Sequence, residues 1–469
     1  MTTNTPNIIV ILADDLGYGD LSIYGNNILQ TPHLDRLAQE GLRLSQHYSG
    51  SPLCAPARAA LLTGRYNHRT GALSVESNRG LDRIALRERT IADVFKRAGY
   101  ATGMVGKWHN GLHDMRYHPN QRGFDEFVGF LNGGMSYWDW LIEYNGIPAH
   151  SDSRYLTDVF TSEAIDFIKR HRAESFFLYL SYNAPHAPLE APTEDVTPYL
   201  EHGEVNEAVA TLYGMIQRMD KGIGQILETL DREGLADNTL ILFTSDNGPH
   251  LGMDQLGGRP LSINRYNGPF RGMKQDVLEG GIRVPAIVRW PDGVPQGSEI
   301  QPMFHFCDWL PTVMASCGIE VLPELPLDGV NQLSALRNES GQINPKRFWQ
   351  YNRYDPVLHC NGAMRDGDWK LYWPRIPEAM VKLRSDVTPY RDNFHQTHHI
   401  MPIQNPPVER TLSSASPPEL YNLAEDPAEN HNLSETYPDR LAKMQFELEN
   451  WVEAVHAERL QYTMTNYVD

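Results

Sequence analysis

Runs of consecutive apolar residues, many of them β-branched, recur along the first 300 residues and predict strands buried on both faces. They lie at residues 7–12, 101–105, 176–180, 239–244 and 283–288. Segments with the start, stop and spacing signals of helices separate them, including those at 32–42, 90–98, 155–170 and 208–230. Because strand and helix alternate, we expect an α/β fold with a large, mostly parallel sheet sandwiched by helices.

The pattern changes near residue 345. Residues 363–373 predict a hairpin with a glycine turn, residues 419–423 predict another strand, and residues 438–460 predict a closing helix. We therefore expect an N-terminal α/β domain over 1–344 and a smaller C-terminal α+β domain with an antiparallel sheet over 345–469. The Pro-rich tract at 374–418 is predicted to be a loop insertion.

Polar residues follow four of the predicted strands. In chain order they are Asp14 and Asp15, Lys107 and His109, His186, and Asp246 and Asn247. Taken singly, each is equally typical of a helix cap or a solvated loop. The carboxyl ends of parallel strands meet at one edge, however, and ligands bind there. The two Asp and Asn pairs would offer oxygen ligands, which suit Ca²⁺ or Mg²⁺ better than Zn²⁺.

Residues 51–65, with the sequence SPLCAPARAALLTGR, predict a loop that leads into a short helix ending before Gly64. Cys54 precedes the predicted helix N-terminus, where free N–H groups favour negative charge, and Arg58 lies one turn later. A lone cysteine is more often a small buried apolar residue than a nucleophile. A thiol phosphatase would need a longer loop between Cys54 and Arg58.

This segment resembles the signature of the type I, formylglycine-dependent sulfatases of the alkaline phosphatase superfamily. The matching positions are Cys54, Pro56, Arg58, Thr63, Gly64 and Arg65. In that family a maturation enzyme oxidises the cysteine to Cα-formylglycine, whose hydrate attacks a sulfate ester beside a divalent metal, usually Ca²⁺. The resemblance thus implies a sulfuric ester hydrolase with Ca²⁺, or Mg²⁺, as its cofactor.

Other motifs extend the resemblance. Gly-Lys-Trp-His at 106–109 matches a sulfatase motif, as do the histidine of Ala-Pro-His at 184–186 and the lysine at 274. The implied catalytic residues are Cys54, Arg58, Lys107, His109, His186 and Lys274. The implied metal ligands are Asp14, Asp15, Cys54, Asp246 and Asn247. Ser136 is the candidate for a sulfate-contacting hydroxyl of the family, and the sequence at 419–423 is similar to the family's C-terminal pattern.

The substrate beyond the sulfate has to be inferred from less regular segments. The aromatic and polar run at 135–140 includes Trp138 and Trp140, which would suit stacking on sugar rings, although core packing explains such a run equally well. Arg271, His359 and the segment 391–395 are further pocket candidates. We predict hydrolysis of a sulfated carbohydrate or polysaccharide-derived oligosaccharide. The alternatives are an arylsulfatase, a phosphate or phosphonate monoester hydrolase, and a sulfated-glycan binding protein without activity.

The amino-acid composition limits the kinds of molecule that we expect the protein to bind. The 469 residues include 41 Lys and Arg against 59 Asp and Glu, a net charge of −18. This argues against nucleic acid and anionic membranes, and it requires a locally basic site for a sulfated substrate. The sequence shows neither a membrane-spanning run nor a secretory signal, so we expect a cytoplasmic protein, or a periplasmic or secreted one if the natural chain begins earlier. The four cysteines lack disulfide-framework spacing.

Overall fold

The computed structural model describes residues 5–252, 265–320, 324–339, 345–386 and 405–463. Its strands are β1 (Asn7–Ala13), β2 (Leu42–Leu44), β3 (His47–Tyr48), β4 (Ala101–Lys107), β5 (Glu126–Phe130), β6 (Leu141–Tyr144), β7 (Ile147–His150), β8 (Phe176–Ser181), β9 (Thr239–Ser245), β10 (Ala286–Arg289), β11 (Ser298–Ile300), β12 (Phe304–His305), β13 (Arg347–Gln350), β14 (Gly362–Asp366), β15 (Trp369–Trp373) and β16 (Glu419–Asn422). Its helices are α1 (Pro32–Glu40), α2 (Cys54–Thr63), α3 (Asn67–Thr70), α4 (Ile91–Arg97), α5 (Leu156–Arg170), α6 (Thr193–His202), α7 (Glu207–Arg232), α8 (Glu279–Ile282), α9 (Phe306–Ser316), α10 (Leu333–Leu336) and α11 (Pro438–Thr463).

One large sheet runs through the N-terminal part of the chain, in the order β11-β2-β10-β9-β1-β8-β4-β5-β6-β7. Its central strands β9, β1, β8, β4 and β5 are all parallel to their neighbours in that group. Antiparallel strands flank this group on both sides, with β10 against β9 and β6 against β5. The predicted fold class, a mostly parallel sheet between helices, is confirmed.

The apolar run of β1 shows why this sheet is covered on both faces. Alternate residues of a strand point to opposite faces. Ile8, Val10 and Leu12 accordingly join a core cluster that includes residues of α2, α4 and α9. Ile9 and Ile11 join a second cluster with residues of α1, α5 and α7. Every residue of β1 is buried, so a continuous apolar run is what this position in the sheet requires.

A separate antiparallel sheet, in the order β13-β14-β15-β16, follows in the C-terminal part of the chain. The helix α11 packs against it, and the Trp451 indole stacks on the Phe348 ring with centroids 5.4 Å apart. The small antiparallel sheet and its closing helix confirm the predicted C-terminal α+β element. The domain boundary at 344/345 stays a prediction, and residues 387–404 of the predicted insertion lie outside the described residues.

Two local expectations need correction. The fifth predicted strand, at 283–288, is observed as β10 from Ala286 to Arg289 and pairs antiparallel with β9. Pro285 lacks an N–H group and cannot donate to a neighbouring strand, so regular pairing begins after it. The helix α2 begins at Cys54 itself rather than after it. No helix among the described residues has the length and apolar character needed to cross a lipid bilayer.

Candidate active site

The polar residues that follow β1, β4, β8 and β9 meet at one edge of the large sheet, as the parallel arrangement requires. The helix α2 begins at the same edge and brings Cys54 to it. One ligand atom from each of Asp14, Asp15, Cys54 and His186 lies within 4.8 Å of the others. The convergence of these segments is the basis of the candidate active site.

Two lysines face the two neighbouring carboxylates after β1. Lys107 Nζ donates to Asp14 Oδ2 at 2.6 Å, and Lys274 Nζ donates to Asp15 Oδ2 at 2.7 Å. Burial alone would raise the pKa of Asp15, but Lys274 and His186 outweigh it and hold that pKa well below its usual range. Burial would likewise lower the pKa of Lys274, yet Asp15 keeps it well above its ordinary value. Both members of this pair are therefore charged at neutral pH.

Arg58 fixes the carboxylate that follows β9. Its Nη2 and Nε donate to Asp246 Oδ2 at 2.8 and 3.0 Å, and its Nη1 donates to the carbonyl of Lys107 at 3.1 Å. Both side chains are completely buried. Burial and the neighbouring Asp14 raise the pKa of Asp246 to about 6. Arg58 thus ties the ends of two strands together and orients an otherwise costly buried carboxylate.

The Cys54 thiol lies against the first carboxylate, with Sγ 3.6 Å from Asp14 Oδ1. Burial raises the pKa of Cys54 to about 12, although Lys107 and Lys274 act in the opposite direction. The unmodified side chain is consequently a neutral thiol at neutral pH. Because the thiolate is the nucleophilic form of cysteine, the environment does not support direct attack by this thiol.

Two histidines line the cleft together with Cys54. Nδ1 of His186 lies 2.7 Å from the carbonyl oxygen of Ala187. A carbonyl can only accept, so Nδ1 carries the proton and Nε2 is the atom free to exchange one. Burial and Lys274 lower the pKa of His186 to about 3. Burial and Lys107 lower that of His109 well below its ordinary value, so both rings are neutral here.

The oxygen atoms at this edge fit a hard divalent cation. Asn247 donates from Nδ2 to Asp15 Oδ1 at 2.8 Å, while its buried Oδ1 has no hydrogen-bond partner among the described residues. An unsatisfied amide oxygen beside three carboxylates is the kind of donor set that Ca²⁺ and Mg²⁺ prefer. The carboxylates are those of Asp14, Asp15 and Asp246. The residues present therefore suit such an ion.

Two site residues adopt a backbone conformation that is uncommon outside glycine. Asp15 has a φ of 65° and His109 a φ of 58°, each just after a strand of the sheet. Left-handed conformations of non-glycine residues cost free energy, and they persist where the surrounding structure fixes them. Here the conformation redirects each side chain at the end of its strand, beside the thiol.

The site opens into a cleft of about 440 Å³. One end is lined by Asp15, Cys54, His109, His186 and Lys274. The rest of the lining, here called the charged wall, comes from the segment 75–82 and from the C-terminal part of the chain, with Asp82, Arg353, Lys382 and Asp386 among its residues. Sequence reasoning missed these four, because they belong to irregular segments without a motif. Their charged character within a Pro- and Gly-rich context was the only available signal.

The aromatic run lies elsewhere than expected. Trp140 is buried in the core, and its indole N–H donates to the carbonyl of Arg154 at 2.9 Å, so it is not available to stack on a sugar. Trp138 is 43% exposed but does not line the cleft. Ser136 donates its hydroxyl hydrogen to Glu190 at 2.9 Å and likewise does not line the cleft.

The other two predicted pocket residues are also engaged away from the cleft lining. The Arg271 guanidinium donates to the Tyr421 hydroxyl at 2.9 Å. The His359 ring stacks on Trp373, with centroids 4.1 Å apart, and pairs with Glu449 at 3.0 Å. The segment 391–395 lies outside the described residues. The residues that the sequence predicted for the chemistry thus lie together around Cys54, whereas those predicted to bind the rest of the substrate do not line the cleft.

Comparison with known proteins gives one consistent result. The profile of the Sulfatase family matches residues 6–319. The chain is 32% identical to the steryl-sulfatase of Rattus norvegicus, over 92% of this chain and 86% of that protein. It is also 32% identical to the N-acetylgalactosamine-6-sulfatase of Homo sapiens, over 98% of this chain and 88% of that protein. The solved structure of Ps i-CgsB in complex with k-i-k-neocarrahexaose has a TM-score of 0.79 and 29% identity, and covers 99% of this chain and 100% of that chain.

Proposed function

The chain belongs to the sulfatase family and is a sulfuric ester hydrolase, and we propose that its substrate is a sulfated carbohydrate. The observation that carries the choice of substrate is the charged wall of the cleft, which includes Asp82, Arg353, Lys382 and Asp386. Such a wall offers hydrogen bonds and charges to sugar hydroxyls and acidic groups. A steroid or a plain aryl ring would leave Asp82 and Lys382 unpaired, since neither has a side-chain partner among the described residues.

The nucleophile of the reaction is Cys54 in its matured form. A formylglycine-generating enzyme would act on the sequence around Cys54, and the hydrated aldehyde supplies a nucleophilic hydroxyl that the neutral, buried thiol does not. The position of Cys54 at the start of α2 favours the negative charge that the reacting group carries, since free backbone N–H groups point towards it.

The sulfate group is bound by the two lysines of the site. Three acidic side chains are balanced there by three basic ones: Asp14, Asp15 and Asp246 against Arg58, Lys107 and Lys274. Lys107 and Lys274 can turn from their carboxylate partners to the sulfate oxygens and stabilise charge in the transition state. Arg58 stays on Asp246 and keeps it in place.

A divalent ion, Ca²⁺ or Mg²⁺, would be held by Asp14, Asp15, Asp246 and Asn247, together with the matured Cys54 side chain. When bound, it supplies Lewis-acid polarisation of a sulfate oxygen. With Asp14 and Asp15 engaged as ligands, Lys107 and Lys274 would be free to turn to the sulfate oxygens. The acidic molecule would then present a locally positive site to a sulfated substrate.

Departure of the sugar alcohol needs a proton, because an unactivated alkoxide is a poor leaving group. His186 is the proposed donor. Its Nδ1–H is committed to the Ala187 carbonyl, so Nε2 is the atom that would hold and deliver the proton. The negative charge of a bound sulfate would raise the pKa of His186 from its low value without substrate. His109, which also lines the cleft, would orient the matured side chain.

The direct test is a substrate screen with purified, matured enzyme. Sulfate release is measured from sulfated oligosaccharides, a steryl sulfate, 4-nitrophenyl sulfate and the matching phosphate monoesters. We expect the highest kcat/KM on a sulfated oligosaccharide. Activity confined to aryl or steryl sulfates would contradict the carbohydrate proposal.

Metal analysis of the same preparation separates a sulfatase site from that of a phosphate or phosphonate monoester hydrolase. The donor set described above would hold a single hard cation, whereas two-metal hydrolases bind a pair of ions. We expect about one Ca²⁺ or Mg²⁺ per chain. Two transition-metal ions per chain would favour the phosphatase alternative.

A further inference from the structure

The cleft is lined by a lysine that forms no ion pair with any residue the structure describes. Lys382 lies between β15 and β16 in sequence and lines the same cavity as Cys54 and Lys274. Its side chain is half-buried, and burial lowers its pKa. Among the described residues, no carboxylate lies within ion-pair distance of its ammonium group. By contrast, Lys274 and Lys107 at the reacting end each have such a partner.

The acidic groups nearest to Lys382 are already neutralised by arginines. Glu76 and Asp386 act on Lys382 electrostatically, but Glu76 is paired with Arg353 at 3.0 Å and Asp386 with Arg79 at 2.8 Å. Asp386 also accepts a hydrogen bond from the Tyr354 hydroxyl at 2.7 Å. Lys382 is therefore a positive charge on this wall that has no ion pair with a described residue, in a protein whose net charge is −18.

A partly dehydrated ammonium group without an anionic partner is strongly favoured to bind one. In the proposed function the reacting sulfate is bound by Lys107 and Lys274, so Lys382 is left for another anion. We propose that Lys382 binds a second anionic group of the saccharide, a carboxylate or a second sulfate, and thereby selects substrates with an additional negative charge. This inference rests on the proposed carbohydrate substrate and deepens it.

The test compares four matured enzymes: wild type, Lys382→Met, Lys382→Arg and Lys169→Met. Met removes the charge and keeps an unbranched side chain of similar length, while Arg retains the charge. Lys169 is the matched control, because it is also half-buried but lies on α5 and does not line the cleft. Thermal unfolding of each variant is measured alongside activity.

Each enzyme is assayed on four sulfate esters, of which the three disaccharides carry the same scissile sulfate. They are a disaccharide with one sulfate, the same disaccharide with a second sulfate, a monosulfated disaccharide with a uronate, and 4-nitrophenyl sulfate. The two doubly charged disaccharides distinguish a sulfate subsite from a carboxylate subsite. KM and kcat are determined separately.

We expect Lys382→Met to raise KM about tenfold or more on at least one doubly charged disaccharide and to leave the singly charged compounds unchanged. Lys382→Arg should retain most of the preference, and Lys169→Met should behave as wild type. Equal effects on all four compounds, or none on any, would overturn the assignment of Lys382 while the carbohydrate proposal stands. If wild type hydrolyses only 4-nitrophenyl sulfate, both proposals fail.

Discussion

The two ends of the cleft satisfy their charges in different ways. At the reacting end every carboxylate faces a basic group at hydrogen-bond distance, as in the pairs of Asp14 with Lys107 and Asp15 with Lys274. On the charged wall, Asp82 is buried without a hydrogen bond of normal geometry to any described residue, and Lys382 has no ion pair within the described part of the chain. One end is preorganised before substrate arrives, and the other leaves polar groups for the substrate to satisfy.

This difference matches the demands of catalysis and recognition. Fixed, buried charges lower a barrier because they need no reorganisation during the reaction. Groups that recognise a substrate gain specificity when an incorrect substrate leaves them unpaired. Substitutions at the reacting end should therefore have larger effects on activity than substitutions on the charged wall.

Cys54→Ala should have the most severe effect, because it removes the side chain that is matured into the nucleophile. We expect kcat/KM to fall by at least about 10³-fold on every sulfate ester. Cys317→Ala is the control, since Cys317 is also buried but does not line the cleft. If Cys54→Ala keeps a tenth of the activity, the proposed nucleophile is wrong.

Lys274→Met should have the second-largest effect, because Lys274 lines the cleft and can move from Asp15 to the sulfate. Loss of one preorganised cation should lower kcat by about 10²–10³-fold. The free energy of unfolding is measured in parallel, because Asp15 loses its partner in this variant. Lys169→Met should be unaffected, and a loss below about tenfold for Lys274→Met would contradict the role in sulfate binding.

His186→Ala should distinguish proton donation from the other functions of the residues at the reacting end. We expect a loss of about 10²-fold on a sugar sulfate and a much smaller loss on 4-nitrophenyl sulfate, whose phenolate leaves without a proton. Steady-state kcat on the two substrates is the measurement. Equal losses on both would remove His186 as the proton donor and leave it a binding role.

Asp82→Asn should affect stability rather than the chemical step. Burial raises the pKa of Asp82 from 3.8 to about 6. The folded state therefore binds this proton more tightly than the unfolded chain, so the contribution is stabilising below about pH 4 and is lost as pH rises through about 6. The loss amounts to at most about 3 kcal/mol.

The measurement is the free energy of unfolding across that pH range. We expect its decline with rising pH to be shallower in Asp82→Asn than in wild type. Asp237→Asn, in an exposed turn, is the control and should retain the wild-type profile. Parallel profiles for Asp82→Asn and wild type would show that Asp82 is already satisfied in the folded protein.

The same contrast explains what the sequence could predict. The continuous apolar run of β1 can only be buried on both faces, and the residues after β1, β4, β8 and β9 must meet once the strands are parallel. The reacting end is therefore encoded in short local motifs. The small antiparallel sheet was also recognisable, because the hairpin of β14 and β15 has alternating residues around a glycine turn.

The residues of the charged wall could not be predicted from local motifs. Asp82 and Lys382 are 300 residues apart and come together only through packing of the C-terminal part against the large sheet. No local spacing reveals such a pair. Composition was equally misleading for Trp140, since an indole suited to sugar stacking is equally suited to a core, and here it is buried. Long-range contacts, rather than propensity, decide these positions.

The most direct test of the account is mass spectrometry of the proteolytic peptide that carries Cys54, taken from active enzyme made in a host with the maturation enzyme. We predict the mass of an aldehyde in place of the thiol, with the extent of conversion across preparations tracking specific activity. A fully active enzyme whose Cys54 peptide retains an unmodified thiol would contradict the account. A buried thiol with a pKa of about 12 stays protonated at neutral pH and is a poor nucleophile.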